Sequence, residues 1–504
     1  MDYALLLDHF STAHETAGWP RQRVLHECLR AAIRSGQLAP GTRLAASRAL
    51  AAELGVARNT VLYAYDQLAT EGYVRPDRRG TVVTTMRIAP AAPAAAPAAH
   101  ASLARRAQRL RPAGPDASIA RAFAPGVPAL DEFPVTLWRR LLDRAWRQVT
   151  AGDLNYGDPA GDPQLRRAIA DHLRAARGAD CDAGQVFITT GTQNSLDLCA
   201  RAFADAGDKA WIENPGYGGA LAAFRAAQLK VIGIPTDADG IAPQASDWRR
   251  HRPRLIYTTP SHQYPTGSVL GLQRRIALIE HARAAGALII EDDYDSEFRH
   301  DGPPLSAMQG LAPDAPVLYL GTFSKTMFPA LRIGFMVVPA TLAPPLRALL
   351  AGSAPQGRTA EQRALAEFLR GGHFALHLRR MRRLYRQRRD ALVAALEKHL
   401  GTIATVHGGS AGMHLALQLN DDTLDDAAIA ARALEQDIVA HALSAHATGA
   451  RANGWNGFLL GYAQVPVADM DALVGKLAAT VRGLKTGAWP DGRVRPPRRP
   501  AGSA

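Results

Sequence analysis

The chain of 504 residues has only three cysteines, Cys28, Cys181 and Cys199, scattered and never in a CxxC pair. That scarcity argues against a disulfide framework and a zinc ribbon, and points to a reducing compartment. Lysine is also scarce: Lys209, Lys230, Lys325, Lys398, Lys476 and Lys485 are the whole set, so 53 of the 59 basic residues are arginine. Any chemistry that needs a primary amine therefore has six side chains to choose from. No uninterrupted apolar run reaches the ~18 residues of a membrane span. The opening MDYALLLDHF carries Asp2 and Asp8 where a signal peptide carries positive charge, so a cytoplasmic protein is expected. A hydrophobic fraction of 47% with 21% charged residues is ordinary globular composition and excludes a wholly disordered or fibrous chain.

What is present is unevenly placed. At about 150 residues per domain the length suggests two to four domains. The net charge of +13 divides into +2 over residues 1–85, +4 over 86–117 and +3 over 486–504, leaving +4 for the long stretch 118–485. Residues 86–117 are rich in Ala and Pro without an apolar face and read as a linker; 486–504 reads as a basic, Pro-rich, disordered tail. Both could add nonspecific affinity for phosphates, or serve only as solubilising segments.

Within residues 21–35, Val24, Leu25, Cys28, Leu29, Ala32 and Ile33 recur at helical spacing up to Gly36. Ser47 stands where an N-cap belongs before a helix over 48–54, and Asn59 stands where it can cap the next. Two short helices around a Gly-containing turn predict a helix-turn-helix, and RPDRRGTVVTT, with Gly80 near its tip, predicts a hairpin wing. The run RLAASRALAAELGVARNTVLYAYDQLATEGYV resembles the DNA-binding domain of GntR-type bacterial regulators. That resemblance implies that Arg48, Arg58, Asn59, Thr60 and Tyr63 meet phosphates and base edges, with Gly80 letting the wing approach the minor groove. Tyr63 could instead pack against the first helix. The family's usual Pro before the second helix is Ala45 here.

Beyond the linker, apolar runs at 185–190, 210–214, 254–260, 287–295 and 317–324 alternate with helical patterns at 195–206, 217–227 and 270–286. This predicts an α/β fold with a mostly parallel sheet and site residues at strand C-terminal ends. Gly191-Thr192-Gln193-Asn194 follows one strand and opens a helix, an arrangement suited to a phosphate. Asp292 ends a buried strand and needs a cationic partner. Lys325, with Thr322, Ser324 and Arg332 around it, supplies an amine for an aldehyde cofactor and groups for its phosphate.

The ordered motifs LNYGDPAGDPQLRRAIADHL, TTGTQNSLDL, ENPGYGGA, TPSHQYPTG, EDDYDSEFR, TFSKTMFPALRIGF and HLRRMRRLYRQRRDAL are similar to fold-type I aminotransferases, and specifically to the aminotransferase-like domain of MocR/GabR-type regulators. The resemblance implies a pyridoxal-phosphate-dependent transferase fold over 118–485, with a smaller C-terminal subdomain. It implies pyridoxal 5′-phosphate as cofactor, Lys325 as its Schiff-base and catalytic residue, Asp292 at the pyridine nitrogen, Tyr294 at the ring O3′ and Tyr217 stacked on the ring. Gly191, Thr192, Gln193, Thr322, Ser324 and Arg332 would surround the phosphate, and Tyr156 would reach it from a partner subunit; both tyrosines could otherwise be core or interface aromatics. Where aminotransferases carry Asn before Pro-Thr-Gly this chain has Tyr264, for which His262 or Gln263 could substitute. The carboxylate-binding Arg slot holds Leu459, leaving Arg451 as the nearest ligand-carboxylate candidate. The arginine run 379–389 is expected to be a solvated helix face, and no metal site is expected. The functional expectation is a homodimeric regulator of operator DNA that senses pyridoxal phosphate or an amino compound, with a linker long enough for each winged helix to lie over the other subunit. An aminotransferase with catalysis as its main role is the alternative, and a repressor with an inert scaffold a third reading.

Overall fold

The computed structural model describes residues 1–85, 121–353, 357–448 and 454–485, with Ala104 and Ala107 in addition. The linker and tail, and Arg451, otherwise lie outside the described residues. The chain divides into two compact units, Met1–Ser102 and Leu103–Ala504.

In the first unit, α2 (Arg21–Arg34), α3 (Ser47–Glu53) and α4 (Arg58–Thr70) precede a two-stranded antiparallel wing, β1 (Val74–Asp77) and β2 (Gly80–Val83). A further helix, α1 (Tyr3–Ala13), comes first, capped by the Asp2 carboxylate on the Leu5 amide at 2.9 Å. Leu25, Leu29, Leu50, Val61, Leu68, Val74 and Val83 bury one core, to which α1 adds Tyr3. The two expected caps are not caps. Ala46 and Ala57 hold those positions without a side-chain hydrogen bond, and the Ser47 hydroxyl accepts from Arg58 Nε across the turn at 3.3 Å. Gly55, at φ 60°, makes that turn in a conformation that favours glycine.

The second unit is built on an eight-stranded sheet ordered β3 (Val186–Thr189), β10 (Gly334–Val337), β9 (Val317–Thr322), β8 (Leu288–Asp293), β7 (Leu255–Thr258), β4 (Lys209–Asn214), β5 (Lys230–Asp237) and β6 (Gly240–Ile241). The neighbours from β9 to β5 pair in parallel; β10 runs antiparallel between β3 and β9, and β6 returns antiparallel on β5. The apolar runs are continuous because the sheet is covered on both faces: every residue of β3, β7 and β10 is buried. A smaller four-stranded antiparallel sheet, β11 (Ala404–His407), β12 (His414–Leu419), β14 (Gly457–Gly461) and β13 (His441–Ala442), forms the C-terminal part.

The long helix His373–Leu400 carries the arginine run, of which Arg379, Arg380, Arg383 and Arg386 are exposed as expected of a solvated face, while Arg388 is buried and Arg382 and Arg389 are half-buried. Arg382, Arg386, Arg388 and Arg389 donate to the carbonyls of Glu297, His300, Ala463 and Gly409, stapling loops onto the helix. Guanidinium forks thereby satisfy backbone carbonyls that no strand or helix pairing engages.

Candidate functional site

The parallel strands end on one edge of the sheet, and their C-terminal residues converge there on a cavity of about 370 Å³. After β3, Gly191 adopts φ 108° and precedes the helix Thr192–Phe203, whose first amides have no partner within the helix. The guanidinium of Arg332 lies beside it: a Cβ on Gly191 would sit 3.7 Å from Arg332 Nη1. The Thr192 hydroxyl is buried and makes no hydrogen bond. Thr322 ends β9, and its hydroxyl accepts from the Ser324 amide at 3.1 Å, holding the turn that presents Lys325. Lys325 Nζ donates to the Gly126 carbonyl at 2.8 Å.

On β8, successive side chains point to opposite faces, which separates the acids. Asp293 pairs with Arg177 at 2.6 Å, both 1% exposed. Asp292 faces the cavity, where Tyr257 donates to its Oδ2 at 2.8 Å and its Oδ1 is buried with no partner. Burial raises the Asp292 pKa to about 7; the Tyr257 bond opposes the shift, and Asp293, Asp295 and Glu213 add to it. A cation in the cavity would restore the charged form. Tyr217 lines the same wall, its ring centroid 6.5 Å from that of Tyr257. Gly219 has no room for a side chain, since a Cβ there would lie 2.4 Å from the Tyr217 ring and 2.5 Å from Gln193 Oε1. Gln193 in turn donates to the Gly219 carbonyl at 3.0 Å.

The structure thus brings Lys325, Asp292, Tyr294, Tyr217, Gly191, Thr192, Gln193, Thr322, Ser324 and Arg332 to the wall of one cavity. Tyr156 is not among its lining residues and is 83% exposed. Arg451 falls outside the described residues, and Leu459 is fully buried in β14. The sequence reading missed Tyr257, hidden inside an apolar run, and His414 and Met413, which arrive from the C-terminal sheet. It also offered His262 or Gln263 for the missing Asn, and neither lines the cavity. Gln263 is consumed in stapling its loop, donating to Pro215 O at 2.9 Å and Glu213 at 3.2 Å, while His262 sits behind Tyr294.

In the first unit, Arg48 is exposed at the start of α3 and Arg58 and Asn59 at the start of α4, with Thr60 half-buried beside them. Tyr63 is 43% exposed and stands outside the core; Tyr65 is the tyrosine that packs inward. Gly80 opens β2 at the wing tip with φ 131°.

A half-buried amine, a buried acid with one oxygen unpartnered and a glycine-led helix start with an arginine define a pyridoxal-phosphate transferase fold, in a chain that also carries a winged helix-turn-helix. Residues 128–474 match the family of class I and II aminotransferases, and residues 21–83 match the gntR family of bacterial regulatory proteins. The probable rhizopine catabolism regulatory protein MocR of Rhizobium meliloti is 39% identical over 83% of this chain and 84% of its own length. The pyridoxine biosynthesis transcriptional regulator PdxR of Corynebacterium glutamicum is 35% identical over 75% and 78%. Among solved structures, kynurenine aminotransferase of Pyrococcus horikoshii superposes with a TM-score of 0.69 at 26% identity over 76% of this chain and 97% of that one. LysN of Thermus thermophilus, complexed with N-(5′-phosphopyridoxyl)-L-leucine, gives 0.67 at 28% over 76% and 98%. The chain belongs to the MocR-type GntR regulators, HTH-type transcriptional regulators with an aminotransferase-like domain.

Proposed function

We propose that this regulator binds pyridoxal 5′-phosphate in the cavity around Lys325 and reports that compound, or an amino compound that reacts with it, to operator DNA. The observation that carries the reading is a pair of unsatisfied buried atoms, Asp292 Oδ1 and Thr192 Oγ1, in the wall that also holds Lys325 and Arg332. Unpaired buried polar groups are costly, and a pyridinium nitrogen and a phosphate are the partners these two lack. When bound, pyridoxal phosphate supplies an aldehyde that condenses with primary amines and a ring that withdraws electrons.

The chain's own residues do the rest. Arg332, the first amides of the helix Thr192–Phe203 and the hydroxyls of Thr192, Thr322 and Ser324 hold the phosphate. Asp292, kept in place by Tyr257, takes the charge of the ring nitrogen, Tyr217 covers the ring, and Lys325 offers its amine. Arg48, Arg58, Asn59, Thr60 and Tyr63 meet the operator, and Gly80 lets the wing approach the minor groove. The working form is a homodimer in the cytoplasm, with Tyr156 reaching the neighbouring subunit's phosphate; its exposure in the single chain supports that role. An effector shifts the DNA-competent population only by its differential affinity for the two states.

The test is a titration of operator-fragment affinity with pyridoxal phosphate and candidate amino compounds at fixed salt, on wild type and Lys325→Ala. Ligand-dependent affinity is expected for the wild type, with Lys325→Ala losing the cofactor's bound absorbance and the response. Steady keto-acid production without operator binding would instead establish an enzyme.

A further inference from the structure

The cavity wall carries a third buried polar atom without a partner. Beside Asp292 Oδ1 and Thr192 Oγ1, which the cofactor reading engages, the Nε2 of His414 is buried and makes no hydrogen bond among the described residues. His414 opens β12 and pairs with Gly461, so the small sheet carries it and not the strands that hold the cofactor residues. Its side chain is enclosed by rings: Tyr264 meets it at 5.5 Å and 75°, His262 lies 4.6 Å away, and Tyr294 lies nearly parallel at 6.4 Å.

These surroundings set the charge of the imidazole. Asp295, the acid grouped with it, is engaged by His262 Nδ1 at 3.1 Å. Burial first, then His262, His446 and Lys325, drive His414 well below the usual imidazole range, so it is neutral. A neutral imidazole offers one N–H and one lone pair. Lys325 lines the same cavity, so the imidazole and the reacting amine address one ligand.

A ligand group that meets His414 therefore finds hydrogen bonding and no counter-charge. The acids of that wall are Asp292 and Asp295, and its permanent cations are Lys325 and Arg332, both of which the cofactor engages. Leu459, in the slot where aminotransferases carry a carboxylate-binding arginine, is fully buried against Ala416 and Leu443. A carboxylate beside His414 would thus be desolvated near two acids, without a permanent counter-charge among the described residues. A hydroxyl or a carboxamide both donates and accepts, and satisfies either tautomer of the ring. We infer that His414 is a specificity-determining residue which takes an uncharged hydrogen-bonding group, a hydroxyl or a carboxamide, carried by the ligand next to its primary amine.

This assignment rests on the cofactor reading of the cavity, and the experiment separates the two. The probes are L-alanine, L-alaninamide, L-alaninol and isopropylamine, which share one skeleton and differ only in the group beside the amine. Each is titrated as free amine into the full-length chain loaded with pyridoxal phosphate, and half-saturation is read from the change in bound-cofactor absorbance. In wild type, alaninol or alaninamide should half-saturate at least about tenfold below both alanine and isopropylamine, because a buried group built to hydrogen-bond a ligand is left unpaired by the analogue lacking it. His414→Phe, which keeps a ring in place, should abolish that preference while moving isopropylamine less than about threefold; His414→Gln, neutral and still hydrogen-bonding, should retain part of it. Both variants are checked for an intact melting transition. A preference for alanine, or a preference for the neutral groups that survives in His414→Phe, overturns the inference, and loss of an alanine preference in Arg451→Ala would place a carboxylate site instead. A chain that binds pyridoxal phosphate but exchanges with none of the four amines overturns the inference alone; a wild type that does not bind pyridoxal phosphate overturns the cofactor reading and this with it. Stoichiometric zinc in the purified protein, lost in His414→Phe, would give the imidazole a different partner and would also overturn it.

Discussion

Asp292 is the residue whose environment makes the sharpest demand. Its folded pKa near 7 lies above the ordinary carboxylate value of about 3.9, so between those values the native state holds a proton that the unfolded chain has released. Stability of the cofactor-free protein should therefore fall as pH rises through that window, by up to about 1.4 kcal/mol per unit from this one group. Glu291, also raised to about 7 by burial, contributes with the same sign and remains in an Asp292→Asn variant. The difference between the wild-type and Asp292→Asn denaturation profiles across pH 4–7 should therefore isolate Asp292, with the variant showing the flatter curve; parallel curves would contradict the buried, unpaired acid. Asp292 and Lys325 were legible in sequence because one strand end or one turn carries each with its neighbours. Tyr257 and His414 were not, because a tyrosine inside an apolar run and a histidine some ninety residues past Lys325 acquire their roles only when the strands are laid side by side.

At the scale of elements, the winged helix shows how a substitution is absorbed. Ala45, in the position where the family resemblance led proline to be expected, donates its amide to the Tyr3 hydroxyl at 3.3 Å and accepts from the Tyr65 hydroxyl at 2.7 Å. Proline would delete the first of these bonds, so Ala45→Pro should destabilise the N-terminal unit by about 1 kcal/mol, visible as an earlier melting transition. The helices themselves were legible from apolar spacing, but their caps were not, because the Ser47 hydroxyl is drawn to Arg58, a partner eleven residues away. Arg48 and Arg58 sit exposed at the starts of α3 and α4. Replacing either with Ala should weaken operator binding and reduce the slope of log affinity against log salt by about 1, measured by titration at several salt concentrations. The arginine helix was legible in part for a similar reason: Arg379, Arg380, Arg383 and Arg386 lie on the exposed face that a run of like charges predicts, while the loop carbonyls met by Arg382, Arg388 and Arg389 come from segments distant in sequence.

For the whole molecule, two compact units imply two cooperative transitions. Saturating pyridoxal phosphate should raise the melting temperature of the larger unit alone, by the linkage relation about 2.7 kcal/mol at one hundred times the dissociation constant. A shift of both transitions, or of neither, would show that the ligand is not held where its lining residues lie. The net charge of +13 said little about DNA, since residues 1–85 carry only +2 of it.

The Gly126 carbonyl that accepts from Lys325 belongs to the strap just beyond the linker, pinned elsewhere by the Val439 amide on the Ala122 carbonyl and the Gly461 amide on the Phe123 carbonyl. Gly126 cannot be replaced cheaply, since a Cβ there would lie 2.7 Å from the Lys325 amine, at a φ of 73°. A ligand that condenses with the Lys325 amine would draw it away from the Gly126 carbonyl, while the two backbone bonds of the strap remain. Loss of that bond on ligand binding would remove one of the three anchors named for the strap, and by linkage a force that displaces the strap would then weaken ligand binding by the same free energy.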